Sequence, residues 1–278
     1  MSRIAYVNGR YLLHKNASIH IEDRGYQFGD GVYEVVLVLN KKMIDFDGHF
    51  NRLMRSLNEI SLEFTYSETT IKQIFKRLIR ANLITNGLLY LQVTRGVAHR
   101  AHHFPTDVAP ALVVTAKPTS ITLHIDGRKA ITTPDQRWDR RDIKTIQLLP
   151  NCIAKQEAVE QDAFEAIMVL KDGTITEGAS SNLWMIDSEN QLVTRKASSA
   201  ILNGITKLRL TEIAGMHQYK VVERSFTVEE AINAKELFVT SATAIVTPII
   251  QLDDHLIADG NAGPVAMALR SAYLETAV

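Results

Sequence analysis

Asp142-Ile143-Lys144-Thr145 stands just ahead of a helical stretch carrying Asn151-Cys152-Ile153-Ala154-Lys155-Gln156-Glu157-Ala158. One lysine among 31 basic residues has no meaning alone. Three other segments give it a setting. Arg24-Gly25-Tyr26-Gln27-Phe28-Gly29-Asp30-Gly31-Val32-Tyr33-Glu34 lies near the start, Thr176-Glu177-Gly178-Ala179-Ser180-Ser181-Asn182 in the middle, and Leu202-Asn203-Gly204-Ile205-Thr206 follows. An amine reacts with a carbonyl only when unprotonated and held against the carbon. A free lysine titrates near about 10.4; burial or a nearby cation lowers that value and makes carbonyl chemistry accessible. Arg140 and Arg141 are close in sequence, which does not say where they point.

Around these segments the chain reads as mixed α/β (α+β). Ile4–Val7 and Tyr11–His14 flank Asn8-Gly9, a hairpin signal. The β-branched run Val32–Leu39 reads as a strand. Asp47 is expected to cap a helix with Phe50, Leu53, Met54, Leu57 and Ile60 on one face. Ser67 is expected to cap the next, with Ile71, Ile74, Phe75 and Leu78 inward. Leu88–Arg95 and Ala111–Ala116 return to strand. Lys117-Pro118-Thr119-Ser120 has linker chemistry, so the expected division is a smaller domain over 1–117, a linker at 118–120 and a larger domain over 121–278. In the larger part, strands are expected at Ala166–Leu170, Leu183–Ile186, Leu237–Thr240 and Ile245–Ile250. Helices are expected after Pro150, after Thr206 and over Pro264–Leu274.

Composition narrows the function classes. Lys+Arg and Asp+Glu each total 31, so no basic excess supports nucleic-acid binding. The 46% hydrophobic and 22% charged fractions are those of an ordinary globular protein, with no apolar run long enough for a bilayer. The start, Met1-Ser2-Arg3-Ile4, lacks a signal peptide's apolar stretch, and Cys152 is the single cysteine. An internal disulfide is therefore impossible, a cytoplasmic location is expected, and Cys152 is read as a buried helical residue. His99, His102 and His103 have no nearby carboxylate or cysteine to complete a metal set, so no metal is expected.

With these motifs in this order, the chain resembles the class IV pyridoxal-phosphate aminotransferases from Tyr6 to the C-terminal helix. The resemblance implies a two-domain, fold-type IV enzyme with pyridoxal 5'-phosphate (PLP) in the interdomain cleft. It implies that Lys144 forms the covalent aldimine with the cofactor and moves protons. It also implies that Glu177 keeps the ring nitrogen protonated, sustaining the electron sink. Ser180, Ser181 and Asn182, of the same Glu-Gly-x-Ser-Ser-Asn string, are expected by the resemblance to be cofactor-binding residues. Leu202 would cover one ring face, and Gly204, Ile205 and Thr206 would hold the phosphate at a helix N-terminus. Arg52, off the apolar stripe of its helix, and Ser241 would add phosphate contacts. Ala242 stands where close relatives often have threonine, so one hydroxyl contact is missing there.

The D-amino acid group within this family carries a segment matching Arg100-Ala101-His102-His103-Phe104-Pro105. By resemblance, Arg100 and His102 reach the partner's site in a homodimer. There, with Tyr33, they trap the substrate carboxylate, and the side of that trap sets stereochemistry. Val35 shares the face of Tyr33 and would line the side-chain pocket. The implied reaction is transamination between D-amino acids and 2-oxo acids. Branched-chain L-amino acid aminotransferase and aminodeoxychorismate lyase share Lys144, Glu177 and Arg52. A non-catalytic PLP-binding protein is the remaining alternative, against which the intact lysine argues.

Overall fold

The computed structural model describes residues 3–121 and 125–276. The described residues divide into two compact units, 3–121 with Ile143–Gln147, and 125–142 with 148–276.

In the first unit β1 (Ile4–Val7) and β2 (Arg10–Leu13) form a hairpin. Its turn residues Asn8 (φ 44°) and Gly9 (φ 87°) both adopt the positive φ of a tight hairpin turn. Next come α1 (Arg24–Phe28), β3 (Gly31–Leu39), β4 (Lys42–Met43), α2 (Phe46–Glu59), α3 (Glu68–Ala81), β5 (Gly87–Thr94) and β6 (Ala111–Pro118). The sheet order is β2-β1-β6-β5-β3-β4. Leu53 and Leu57 of α2 and Ile71, Ile74, Phe75 and Leu78 of α3 pack against the inner face of the sheet, with Phe50, Met54 and Ile60 at the margin. Ser67 caps α3 by accepting from Thr70 N. Asp47 does not cap α2. The cap position is Asp45, in the left-handed region at φ 50° and without a side-chain cap bond, while Asp47 pairs with Lys72 at 2.8 Å.

The first unit's strand β6 continues through Pro118, opposite Gly87, so the polar stretch expected as linker begins inside a strand. The chain also returns to this unit at Ile143–Gln147, a stretch that the sequence places with the larger domain. Burial explains the return: Ile143 is 4% exposed within the first unit's core, and Thr145 pairs with Val32.

The second unit contains β7 (Arg128–Pro134), α4 (Leu149–Glu160), β8 (Glu165–Val169), β9 (Ile175–Gly178), β10 (Asn182–Ile186), β11 (Leu192–Thr194) and α5 (Ile205–Met216). It continues with β12 (Val221–Glu223), α6 (Val228–Ile232), β13 (Glu236–Ser241), β14 (Ile245–Leu252), β15 (His255–Leu256) and α7 (Pro264–Thr276). Among the described residues its sheet runs β12-β11-β10-β13-β14-β7-β8-β9, with β15 beside β14. The all-apolar run Leu183–Ile186 is buried on both faces, as expected of a central strand. Cys152 lies on α4 but is exposed, because Ala154 and Ala158 are the residues of that helix turned inward. Among the described residues no helix is long and apolar enough to cross a membrane.

Candidate active site

Lys144 is fixed in the first unit by its backbone. Its carbonyl accepts from Tyr33 N at 3.0 Å, and its N–H donates to Ser56 Oγ at 3.3 Å. Ile146 N donates to Gly31 O at 3.1 Å, so the segment adds a short edge to the start of β3. The Lys144 ammonium stands 4.2 Å from the centre of the Tyr33 ring, which stacks on Tyr90 at 5.7 Å. Side chains alternate along β3. Tyr33 and Val35 are half-buried on one face, while Val32, Glu34 and Val36 are buried on the other.

That alternation sends Glu34 toward α2. Arg52 forks onto it, with Nε at 2.7 Å and Nη2 at 2.8 Å, and His49 Nδ1 lies 2.7 Å from the same carboxylate. Glu34, His49 and Arg52 are 2%, 4% and 9% exposed, so this is a buried pair with a histidine attached and not a solvated helix face. Burial alone would raise the Glu34 carboxyl, but Arg52 and His49 hold it down to about 2. His49 is pushed below its ordinary value by burial, although Glu34 pulls it up, and the Arg52 and Lys144 cations add to the lowering. A neutral His49 donating from Nδ1 to an ionised Glu34 satisfies both shifts.

The second unit builds its cluster on β9, whose four residues are all buried. Glu177 accepts from Arg137 Nη1 at 2.6 Å, from Asn182 Nδ2 at 3.0 Å and from Leu202 N at 3.1 and 3.2 Å. Asn182 Nδ2 also donates to Leu202 O at 2.9 Å, locking the Leu202 loop to β10. Burial raises the Glu177 carboxyl; Arg137 and the Leu202 N–H oppose it. Behind this pair Asp135 accepts from Arg137 at 2.8 Å and from Thr176 at 2.7 Å, and pairs with Arg141 at 3.0 Å. Arg140 pairs with Asp142.

Ser180 and Ser181 do not stand free. Both hydroxyls donate to Glu165 Oε2, at 2.9 and 2.8 Å. Glu165 is 1% exposed and also takes Lys155 Nζ at 3.2 Å and Ala166 N at 3.1 Å. A Cβ at Gly178 would run into Ser181 Oγ and Glu165, so only glycine permits this close packing. The Ser-Ser part of the motif thus braces the turn that carries Glu177 and Asn182.

Gly204 is the N-cap of α5, with Ile205 and Thr206 in the first turn and no side-chain cap. The helix's opening N–H groups and dipole favour an anion there. A Cβ at 204 would meet Asn182 Oδ1, so glycine is again required. Ser241, at the end of β13, accepts from Ala244 N at 3.1 Å and bonds Thr243 Oγ1 at 3.1 Å, shaping the turn through Ala242. A phosphorylated pyridine aldehyde calls for a lysine amine, a carboxylate and an anion-binding helix start; the first unit supplies the amine and the second the buried carboxylate and the uncapped helix start, so the residue types present fit such a group.

Arg100 and His102 are both exposed, in the loop between β5 and β6. The Arg100 guanidinium lies 4.6 Å from the centre of the Phe28 ring, and the His102 ring lies 5.7 Å from it. Among the described residues no group of three or more His, Cys, Asp or Glu side chains is arranged to hold a metal ion.

Sequence reading missed His49, Glu165 and Arg137. The one available signal was Glu165 at the head of the apolar run Ala166-Ile167-Met168-Val169, where an acid inside a buried strand needs partners.

The sequence matches the family Amino-transferase class IV over residues 31–252. It is 39% identical over 267 residues to the D-alanine aminotransferase of Bacillus licheniformis, covering 95% of this chain and 94% of the relative. It is 40% identical over 271 residues to the D-alanine aminotransferase of Staphylococcus aureus (strain N315), covering 96% and 95%. The structure superimposes on the branched-chain amino acid aminotransferase of Escherichia coli at a TM-score of 0.92, with 20% identity and 100% and 95% coverage; that likeness establishes the fold-type IV fold. The chain belongs to the class IV aminotransferases.

Proposed function

We propose that this protein transfers the amino group of D-amino acids to 2-oxo acids, of the type D-alanine + 2-oxoglutarate giving pyruvate + D-glutamate. The carrying observation is its full-length likeness to proteins named D-alanine aminotransferase. Pyridoxal phosphate, the cofactor of the family, supplies when bound an electron-withdrawing ring that takes up charge from the carbon bearing the amine. Lys144 is the residue that would hold it covalently through Nζ; once the incoming substrate amine displaced that bond, the freed Nζ would remove and return the substrate proton. The Tyr33 ring beneath Nζ restrains the lysine.

Each unit contributes its own set. From the second, Glu177 faces the ring nitrogen, Asn182 and Leu202 position Glu177, and Gly204, Ile205, Thr206 and Ser241 receive the phosphate. Ala242 lends no hydroxyl. Ser180 and Ser181 act through Glu165. From the first unit, Arg52 is assigned to the phosphate, held by Glu34. Tyr33, Arg100 and His102 take the α-carboxylate, where a guanidinium and two further donors match two carboxylate oxygens. Val35 lines the side-chain pocket. The smaller domain is assigned to the first unit and the larger to the second, apart from Ile143–Gln147, which brings Lys144 into the first unit, with the other cofactor residues chiefly on the second. A homodimer in which Arg100 and His102 serve the partner's site, and a cytoplasmic location consistent with a lone cysteine, complete the reading.

The test is steady-state turnover by the purified protein with D-alanine and 2-oxoglutarate, followed as pyruvate. Turnover with D-alanine and none with L-alanine is expected. Turnover of L-leucine and not D-alanine would assign the protein to the branched-chain activity instead.

A further inference from the structure

The Arg100–Pro105 segment lies between β5 and β6, outside any strand or helix, yet it is anchored at several points. The anchor is α1, a five-residue helix. Asp23 caps it by accepting from Gly25 N at 2.8 Å, and the same carboxylate accepts from Thr94 Oγ1 at 2.9 Å, tying the helix to β5. Gly29 ends it in the left-handed region at φ 67°. Arg24 and Phe28 are four apart and therefore share one face.

Arg24 is 2% exposed, an unusual place for an arginine, and two of its donors are committed. Nε donates to Asp30 Oδ2 at 2.8 Å, and Nη1 donates to the carbonyl of Ala101 at 2.6 Å. Ala101 is the residue between Arg100 and His102. The Arg24 guanidinium also lies 4.7 Å from the Phe28 ring centre, matching the 4.6 Å of Arg100. His102 lies against the same ring at 5.7 Å. Asp30 Oδ2 takes a second guanidinium, Arg95 Nε at 2.8 Å, and Arg95 lies 3.6 Å from the centre of the Phe104 ring. Both flanks of the segment are thus pinned to one carboxylate, and the exposed side chains of Arg100 and His102 rest on one aromatic ring.

An exposed arginine samples many rotamers, and ordering it on binding costs affinity. A ring face that attracts the guanidinium restricts it beforehand. We propose that Phe28, backed by Arg24 and Asp30, is a positioning residue that sets Arg100 and His102 for the substrate α-carboxylate. The proposal rests on the reading above that Arg100 and His102 bind that carboxylate. The role assigned to Phe28 acts through Arg100 and His102 and needs no contact with substrate or cofactor.

The test uses the holoenzyme with Phe28→Leu, Phe28→Tyr, Arg100→Ala and the double variant Arg100→Ala/Phe28→Leu. Phe28→Leu should raise KM for D-alanine and for 2-oxoglutarate about tenfold, with kcat within about twofold and cofactor content and Tm unchanged. Phe28→Tyr, which keeps a ring face, should restore KM to within about twofold of the parent. The double variant should be no worse in KM than Arg100→Ala alone, because Phe28 acts through Arg100. If Arg100→Ala raises KM but Phe28→Leu does not, the proposal is overturned and the carboxylate reading stands. Additive KM effects, or a parallel fall in cofactor content and Tm, would make Phe28 merely structural and overturn it equally. An unchanged KM in Arg100→Ala would overturn the carboxylate reading and the proposal with it. Should Phe28→Leu fail to fold, Phe28→Met carries the same comparison.

Discussion

Replacing Glu34 by glutamine keeps the shape of the side chain and removes its charge. In the parent, Arg52 and His49 close on that carboxylate within 2.7 to 2.8 Å, at 2% exposure. The fall from the ordinary 4.5 to about 2 corresponds to about 3 kcal/mol of stability. Breaking a buried pair by removing one partner costs a similar amount, about 3 to 5 kcal/mol. The variant should therefore lose about 3 kcal/mol in equilibrium urea unfolding at pH 7 and roughly 6 to 12 °C in Tm. The pH dependence has a definite sign. A carboxyl lowered in the folded state contributes in full above its unfolded value and loses the contribution as pH falls through its folded value. The difference between parent and variant should be constant above about pH 5. Below 4.5 it should shrink by about 1.4 kcal/mol per pH unit, vanishing near 2. Equal stability at pH 7, or a difference that grows on acidification, would refute the reasoning.

Three further substitutions address the chemistry. Lys144→Ala should lower turnover by about 10³-fold or more while leaving Tm within a few degrees, checked by pyruvate release and thermal unfolding; full activity would remove Lys144 from the mechanism. Glu177→Gln should cut kcat by about 10²-fold while changing cofactor affinity less than tenfold, measured by turnover beside cofactor titration; loss of affinity alone would contradict the ring-nitrogen role. Glu165→Gln removes the charge that holds Ser180, Ser181 and Lys155, and should cost about 2 kcal/mol in urea unfolding together with part of kcat. Unchanged stability would show that the brace is not needed.

Elements with strong local periodicity were legible before the structure. The stripes of α2 and α3 and the β-branched run of β3 name their own partners, since apolar faces must meet. The short strands β9, β11 and β12 carry three or four residues each, too few to display a period. β7 begins with two charged residues, Arg128 and Lys129, and joins two parallel neighbours that only the folded chain reveals. The site followed the same division. Lys144 and Glu177 were marked by their motifs. The support for them came from residues 15 to 40 positions away, such as Glu165 beneath Ser180 and Arg137 beside Glu177, and nothing local announces those pairings. Arg52 shows the cost of reading one helix alone: a position off the apolar stripe looks solvated until Glu34 is brought against it.

The central claim is D-specific transamination through a cofactor held at Lys144. Its most direct test is single-turnover absorbance on the purified holoenzyme, mixing it separately with D-alanine, L-alanine and L-leucine and following the enzyme-bound cofactor band near the visible edge. Loss of the band with D-alanine and not with either L-amino acid is the predicted result. Loss with L-leucine alone, or no change with any of the three, would contradict it.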